Sequence, residues 1–164
     1  MRSFALEIVT PDRVFYTGPA QSLTVDTPLG KMGVLYQHEP VVAALAPSEI
    51  KVIIEDKERR AVCTGGFLEV LGEKVYIFAQ SIEWLEEIDA QRAQEALERA
   101  KRHLEAAQRE NNKYEIQRHV WALERAQARL RSLKGRAEAR LGEEKPDGGD
   151  TSGGSSGGAE GEHR

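Results

Sequence analysis

The chain has 164 residues, 40% of them hydrophobic and 30% charged, with a net charge of −4, which suits one domain or a domain with an appendage. No run of about 18 apolar residues is present, which excludes a helical membrane span, and the first residues lack a signal peptide's apolar core, so folding in the cytosol is expected. Cys63 is the single cysteine, which excludes an internal disulfide and a thiolate metal cluster.

Phe4, Leu6 and Ile8 alternate with Ala5, Glu7 and Val9, as in a strand, and Thr10-Pro11-Asp12 turns the chain. Val14-Phe15-Tyr16 reads as a second strand broken by Thr17-Gly18-Pro19, and residues 22–27 as a third. Gly30 and Gly33 bracket an expected tight loop before Val34-Leu35. Residues 51–55 and 60–64 flank a polar turn at Asp56-Lys57-Glu58, and Cys63 within them reads as a small buried hydrophobe. Residues 66–71 and 74–79 flank Gly72-Glu73 as another hairpin. Many short, evenly spaced strands without intervening helix argue for an antiparallel β-sandwich over residues 1–86.

The period then changes. Asp89 is a fitting N-cap, and Ala93, Leu97, Ala100, Leu104 and Ala107 make an apolar stripe at helical spacing. Residues 110–113 form a polar turn, with Asn112 as cap and Glu115 in the capping-box position. Ile116, Val120, Leu123, Ala126 or Gln127, Leu130 and Leu133 make a second stripe, and Trp121 beside it is expected to pack on the first helix or the sandwich. The short turn makes residues 87–141 an antiparallel two-helix hairpin. Stripes this rich in Ala bury little area, so the hairpin is expected to be marginal alone and able to dock, extend or separate. Residues 142–164, rich in Gly, Ser and Glu, read as a disordered tail.

Charge is segregated along these parts. Residues 1–88 carry 8 basic and 13 acidic side chains, residues 89–141 carry 13 and 8, and residues 142–164 carry 2 and 6. A cationic hairpin on an acidic protein favours an acidic partner or a polyanionic ligand, with a solvated helical face as the alternative. The histidines have no metal-pair spacing. Gly30-x-x-Gly33 lacks the Lys-Ser/Thr of a phosphate loop. No catalytic constellation is present, so an enzyme reading is poor. The acidic β half and the lack of interleaved aromatics oppose nucleic-acid binding. A generic scaffold with a coiled-coil-type hairpin is the alternative reading.

Several segments in order resemble the epsilon subunit of F-type ATP synthases. They are Glu7 to Asp12, Gly30 to Leu35 followed by His38-Glu39-Pro40, Gly65 to Val70, Val75 to Ala79, and Glu87 to Ala93. Tyr36-Gln37 stands where that family more often has Pro-Gly, and Lys31 where an acidic residue is frequent. The resemblance covers residue 3 to about residue 135. It implies a non-catalytic rotor subunit that requires no cofactor. The sandwich would couple the gamma subunit to the c-ring through Gly30, Lys31, Gly33 and His38. The hairpin would extend toward the catalytic alpha/beta hexamer and inhibit hydrolysis, with Arg118, Arg131, Lys134 and Arg136 meeting an acidic segment there. Membrane association would arise only through the complex, on the cytoplasmic face of a bacterial plasma membrane. Some members bind ATP on the folded hairpin as a regulatory ligand. The positions matching that pattern are Glu83, Ile88, Asp89, Arg92, Ala93, Arg99, Arg125 and Arg129. Arg92 and Arg99 share one helix face and Arg125 and Arg129 another, so guanidinium groups could gather around phosphate oxygens.

Overall fold

Alternating burial along the strands sets the layers. A computed structural model describes residues 2–143. The strands are β1 (Phe4–Val9), β2 (Val14–Ala20), β3 (Ser22–Thr27), β4 (Gly30–Leu35), β5 (Val41–Leu45), β6 (Ser48–Ile54), β7 (Lys57–Cys63), β8 (Gly66–Leu71), β9 (Lys74–Ala79) and β10 (Ile82–Trp84). They form two five-stranded sheets, in the orders β2-β1-β9-β8-β5 and β10-β7-β6-β3-β4. All pairs are antiparallel except β1 with β9. Phe4, Leu6 and Ile8 from one sheet and Leu23, Val25, Ile50 and Val52 from the other fill the space between them, all nearly free of solvent contact. This is the β-sandwich that strand alternation implied.

Four local details differ from the sequence reading. β2 does not break at Thr17 but runs through Gly18 and Pro19 to Ala20. It is an edge strand paired only with β1, where a proline without an N–H is tolerated. Gly30 to Leu35 is a strand, not a loop: it pairs with β3 from Thr27↔Gly30 to Ser22↔Leu35, leaving Pro28-Leu29 as the turn. Strand pairing satisfies the backbone of this glycine-bearing stretch, and the cross-strand Lys31–Asp26 ion pair at 2.7 Å reinforces the register. The β6–β7 turn falls at Glu55-Asp56, both at positive φ, one residue earlier than expected. β5 and the three-residue β10 are additional strands, too short or too close to Pro40 to show a clear period.

A short 3-10 turn, Leu85–Glu87, leads into the helices α1 (Ala90–Arg109) and α2 (Lys113–Glu143). The Asp89 carboxylate accepts the Arg92 N–H at 3.0 Å and caps α1. Asn112 accepts the Glu115 N–H at 3.2 Å and caps α2. Its own N–H goes to the Ala107 carbonyl rather than to Glu115, so only half of the expected capping box forms. Ala93, Ala100 and Ala107 are buried along α1 and pack on α2, as their spacing predicted. α2 has a second buried face. Ala128 and Ser132, one turn apart, are buried where the end of α2 lies on β6 and β7. Of the sequence stripe only Leu133 belongs to this face, packed with Ala128 against the sandwich. Trp121 is 55% exposed rather than packed, because both contact faces of α2 are occupied by smaller residues. The tail expected from Gly142 lies outside the described residues, apart from two positions that continue α2.

Candidate functional site

The alanines decide where a site can form. With Ala96 and Ala100 facing Ala122 and Ala126, the helix axes approach closely, and the longer side chains above them rim a cleft of about 380 Å³. Its rim is cationic: Arg99 and His103 from α1, and Arg118, His119, Arg125 and Arg129 from α2. Arg129 is anchored, its Nε donating to Glu83 Oε2 at 2.6 Å across to β10. Arg99 lies 3.9 Å from Glu95, too far for a strong hold. Among the described residues Arg125 has no ion pair. Arg125 and the loosely held Arg99 at an open cleft suit a phosphate group, which takes two parallel N–H bonds from one arginine.

The eight expected nucleotide positions separate into two groups. Arg99, Arg125 and Arg129 line the cleft, and Glu83 reaches it through Arg129. Arg92 does not: its side chain is 86% exposed, 3.9 Å from Asp89. Asp89 is engaged as the helix cap. Ala93 is buried in the hairpin, and Ile88 packs with Val62, Leu85, Ala128 and Leu133 where the hairpin rests on the sandwich. His103, His119 and Arg118 join the cleft unforeseen. The signal was available in the spacing, since His103 follows Arg99 by one turn and Arg118 precedes Ala122 and Arg125 by one and two turns.

The residues expected to meet an acidic partner do not share one face. Arg118 rims the cleft, 3.6 Å from Glu115. Arg131 is exposed near β3 and β4. Lys134 pairs with Glu138 at 3.8 Å, and Arg136 donates to the Leu85 carbonyl at 3.3 Å. The other expected interface is also divided. Gly30 and Lys31 stand beside the Pro28-Leu29 tip, Gly33 lies mid-strand, and His38 follows the opposite end of β4, its Nδ1 2.7 Å from the Glu39 carbonyl. Leu29, fully exposed at the tip, was not singled out in the sequence. An apolar residue within a two-residue turn is the signal that marks it. The outer face of the first sheet carries a further apolar row. Phe67 and Phe78, opposed in the β8–β9 register, stack at 4.7 Å, and Tyr76 stacks on Phe78 at 6.1 Å. Both phenylalanines remain over a third exposed.

Comparison with known proteins agrees with this two-part build. Residues 3–85 match the family described as ATP synthase, Delta/Epsilon chain, beta-sandwich domain, and residues 86–134 match its long alpha-helix domain. The chain belongs to the ATP synthase delta/epsilon family. It is 38% identical over 130 residues to the ATP synthase epsilon chain of Ruminiclostridium cellulolyticum, covering 79% of this chain and 95% of that one. Identity to the corresponding chain of Caldicellulosiruptor saccharolyticus is 37% over 136 residues, covering 83% and 97%. Among solved structures it resembles a chain of the mitochondrial ATP synthase of Euglena gracilis, an OSCP, F1 and c-ring assembly. That match has a TM-score of 0.64 and 29% identity over 85% of this chain and 81% of that one. As a delta/epsilon family member the protein is a non-catalytic subunit. Among the described residues, no helix is long and apolar enough to cross a membrane.

The two family segments meet at the 3-10 turn, and several polar contacts converge there. Arg59 lies over the Trp84 ring at 3.6 Å and donates to Glu86 at 2.6 Å. Burial alone would push the Glu86 carboxyl up, but the hydrogen bond and charge of Arg59, with Arg136 nearby, hold it below the usual carboxylate range. Arg136, from α2, holds the Leu85 carbonyl. The joint is thus tied to both the sandwich and the hairpin.

Proposed function

We propose that this family member works as a rotor-stalk subunit in which the sandwich couples the gamma subunit to the c-ring. The hairpin regulates ATP hydrolysis by leaving or keeping its seat. The observation that carries this reading is the smallness of that seat. Ala128, Leu133, Val62, Leu85 and Ile88 make one modest apolar patch, and Arg129–Glu83 and Arg136–Leu85 add two polar ties. A partly exposed ion pair such as Arg129–Glu83 contributes about 0.2–1 kcal/mol, and a hydrogen bond from a charged donor, as from Arg136 to the Leu85 carbonyl, about 1.5–3 kcal/mol. A modest patch with two such ties can be exchanged for contacts elsewhere. The aromatic row of Phe67, Tyr76 and Phe78 suits gamma, while the Leu29 tip and the His38 loop suit the c-ring; this would hold the protein peripherally at the cytoplasmic side of the membrane.

ATP in the helix cleft would favour the folded hairpin, because Arg99, Arg125 and Arg129 line the cleft between its two helices, and Arg129 links that cleft to Glu83 of the sandwich. Release would free Arg136 from the Leu85 carbonyl and bring the cationic second helix, with Arg118, Arg131, Lys134 and Arg136 spread around it, to the acidic surface of the alpha/beta hexamer, a contact weakened by salt. The deciding measurement is ATP hydrolysis by the assembled synthase with and without residues 88–164. Truncation is expected to raise hydrolysis, and an unchanged rate rejects inhibition. ATP binding by the isolated full chain tests the cleft. Arg125→Ala is expected to weaken it about tenfold or more, the worth of a hydrogen bond to a charged group.

A further inference from the structure

The cleft contains two side chains that the nucleotide pattern does not include. His103 on α1 and His119 on α2 face each other across the helix pair, ring centroids 5.1 Å apart and edge to face at 76°. Both line the same cleft as Arg99, Arg118, Arg125 and Arg129. His119 Nε2 lies 3.2 Å from Glu115 Oε2, and the same carboxylate oxygen faces Arg118 Nη1 at 3.6 Å. Glu95 beside Arg99 and Glu83 on Arg129 are the other acids in contact with this cationic rim.

We infer that His103 and His119 are anion-contacting residues of the hairpin cleft, and that an oligophosphate bound there takes up protons through them. This inference rests on the reading that the cleft binds nucleotide. Neutral imidazole offers one donor, whereas the protonated ring offers two and a positive charge. Imidazole is the side chain that changes charge near neutrality. Glu115 is the acid in contact with His119. A triphosphate in the cleft would bring negative charge to both rings. Protonation and phosphate binding must then strengthen each other by the same factor. The hairpin's closed state would respond to acidity as well as to nucleotide.

The test is ATP binding to the full chain by calorimetry at about pH 8, 7 and 6, near the usual imidazole range. It is run on the wild type and on the double variant His103→Gln, His119→Gln. Both rings lie at the surface or are partly exposed and glutamine is a good helix former, so the variant should fold, with helicity checked by circular dichroism. The ligand's own titration is common to both proteins and cancels in the comparison. Between the two pH extremes the wild type is expected to gain roughly twofold to fivefold more affinity per imidazole than the variant, the scale of an exposed charge contact. It should also draw more protons from the buffer on binding. Equal pH dependence in the two proteins would overturn the inference and leave nucleotide binding standing, the rings being only packed against each other. Binding weakened about tenfold or more by Arg125→Ala and retained in the histidine variant at about pH 8 is the expected contrast. Absence of ATP binding to the wild type at every pH would remove both this inference and the nucleotide reading, while the rotor role would stand.

Discussion

Gly66 shows how a single position can govern a family segment. It opens β8 at φ 134°, and a Cβ built there would run into the Phe78 carbonyl of β9. Neither the conformation nor the space admits a side chain, because the two strands pair at Gly66↔Ala79. Gly66→Ala is expected to lower stability by more than about 2 kcal/mol, from backbone strain plus the clash. Thermal unfolding measures it; a change in melting temperature of only a degree or two would reject the argument. Cys63 is a quieter case. It is fully buried with Sγ 3.5 Å from the Gly65 carbonyl, and burial pushes its thiol up, keeping it neutral and inert. Sequence context was enough to anticipate that. It was not enough for Trp121, whose exposure depends on which faces of α2 its neighbours cover.

At the scale of elements, the joint between sandwich and hairpin carries a pH signature. Glu86 is held ionised by Arg59, so its folded-state titration lies below its unfolded one. Its contribution to stability is therefore complete above the ordinary carboxylate value of about 4.3 and is lost as pH falls through the lower, folded value. Glu86→Gln should lower the melting temperature by a constant amount from neutral pH down to about pH 5. The gap should close on further acidification. A gap that widens toward acid would contradict the assigned cause. α2 illustrates the element whose period misleads. Its stripe toward α1 was visible in the sequence, but Ala128 and Ser132 became core positions only because the far end of α2 meets β6 and β7.

Across the whole molecule, the main core lies within the sandwich. The central core runs from Phe4 to Trp84 and contains no hairpin residue, while the hairpin rests on the small Ala128 cluster. A chain ending at residue 87 is expected to keep a cooperative unfolding transition and its aromatic outer face, while losing any cleft-dependent nucleotide binding. Loss of the cooperative transition in that fragment would show the hairpin to be part of one folding unit and would remove the physical basis for a detachable arm.

The sequence by itself determined the two-part build, the sandwich, the antiparallel hairpin, both helix caps and the family. These depend on periodicity, caps and ordered motifs, all local along the chain. Tertiary structure alone decided that Gly30 to Leu35 is a strand, because pairing with β3 is a non-local gain. It alone decided that Arg92 stands outside the cleft while His103, Arg118 and His119 stand within it. Helical spacing specifies which residues share a face. Where that face points, and what stands opposite, follows from how one helix is rotated and shifted against another, and that is set by the packing of many small side chains at once.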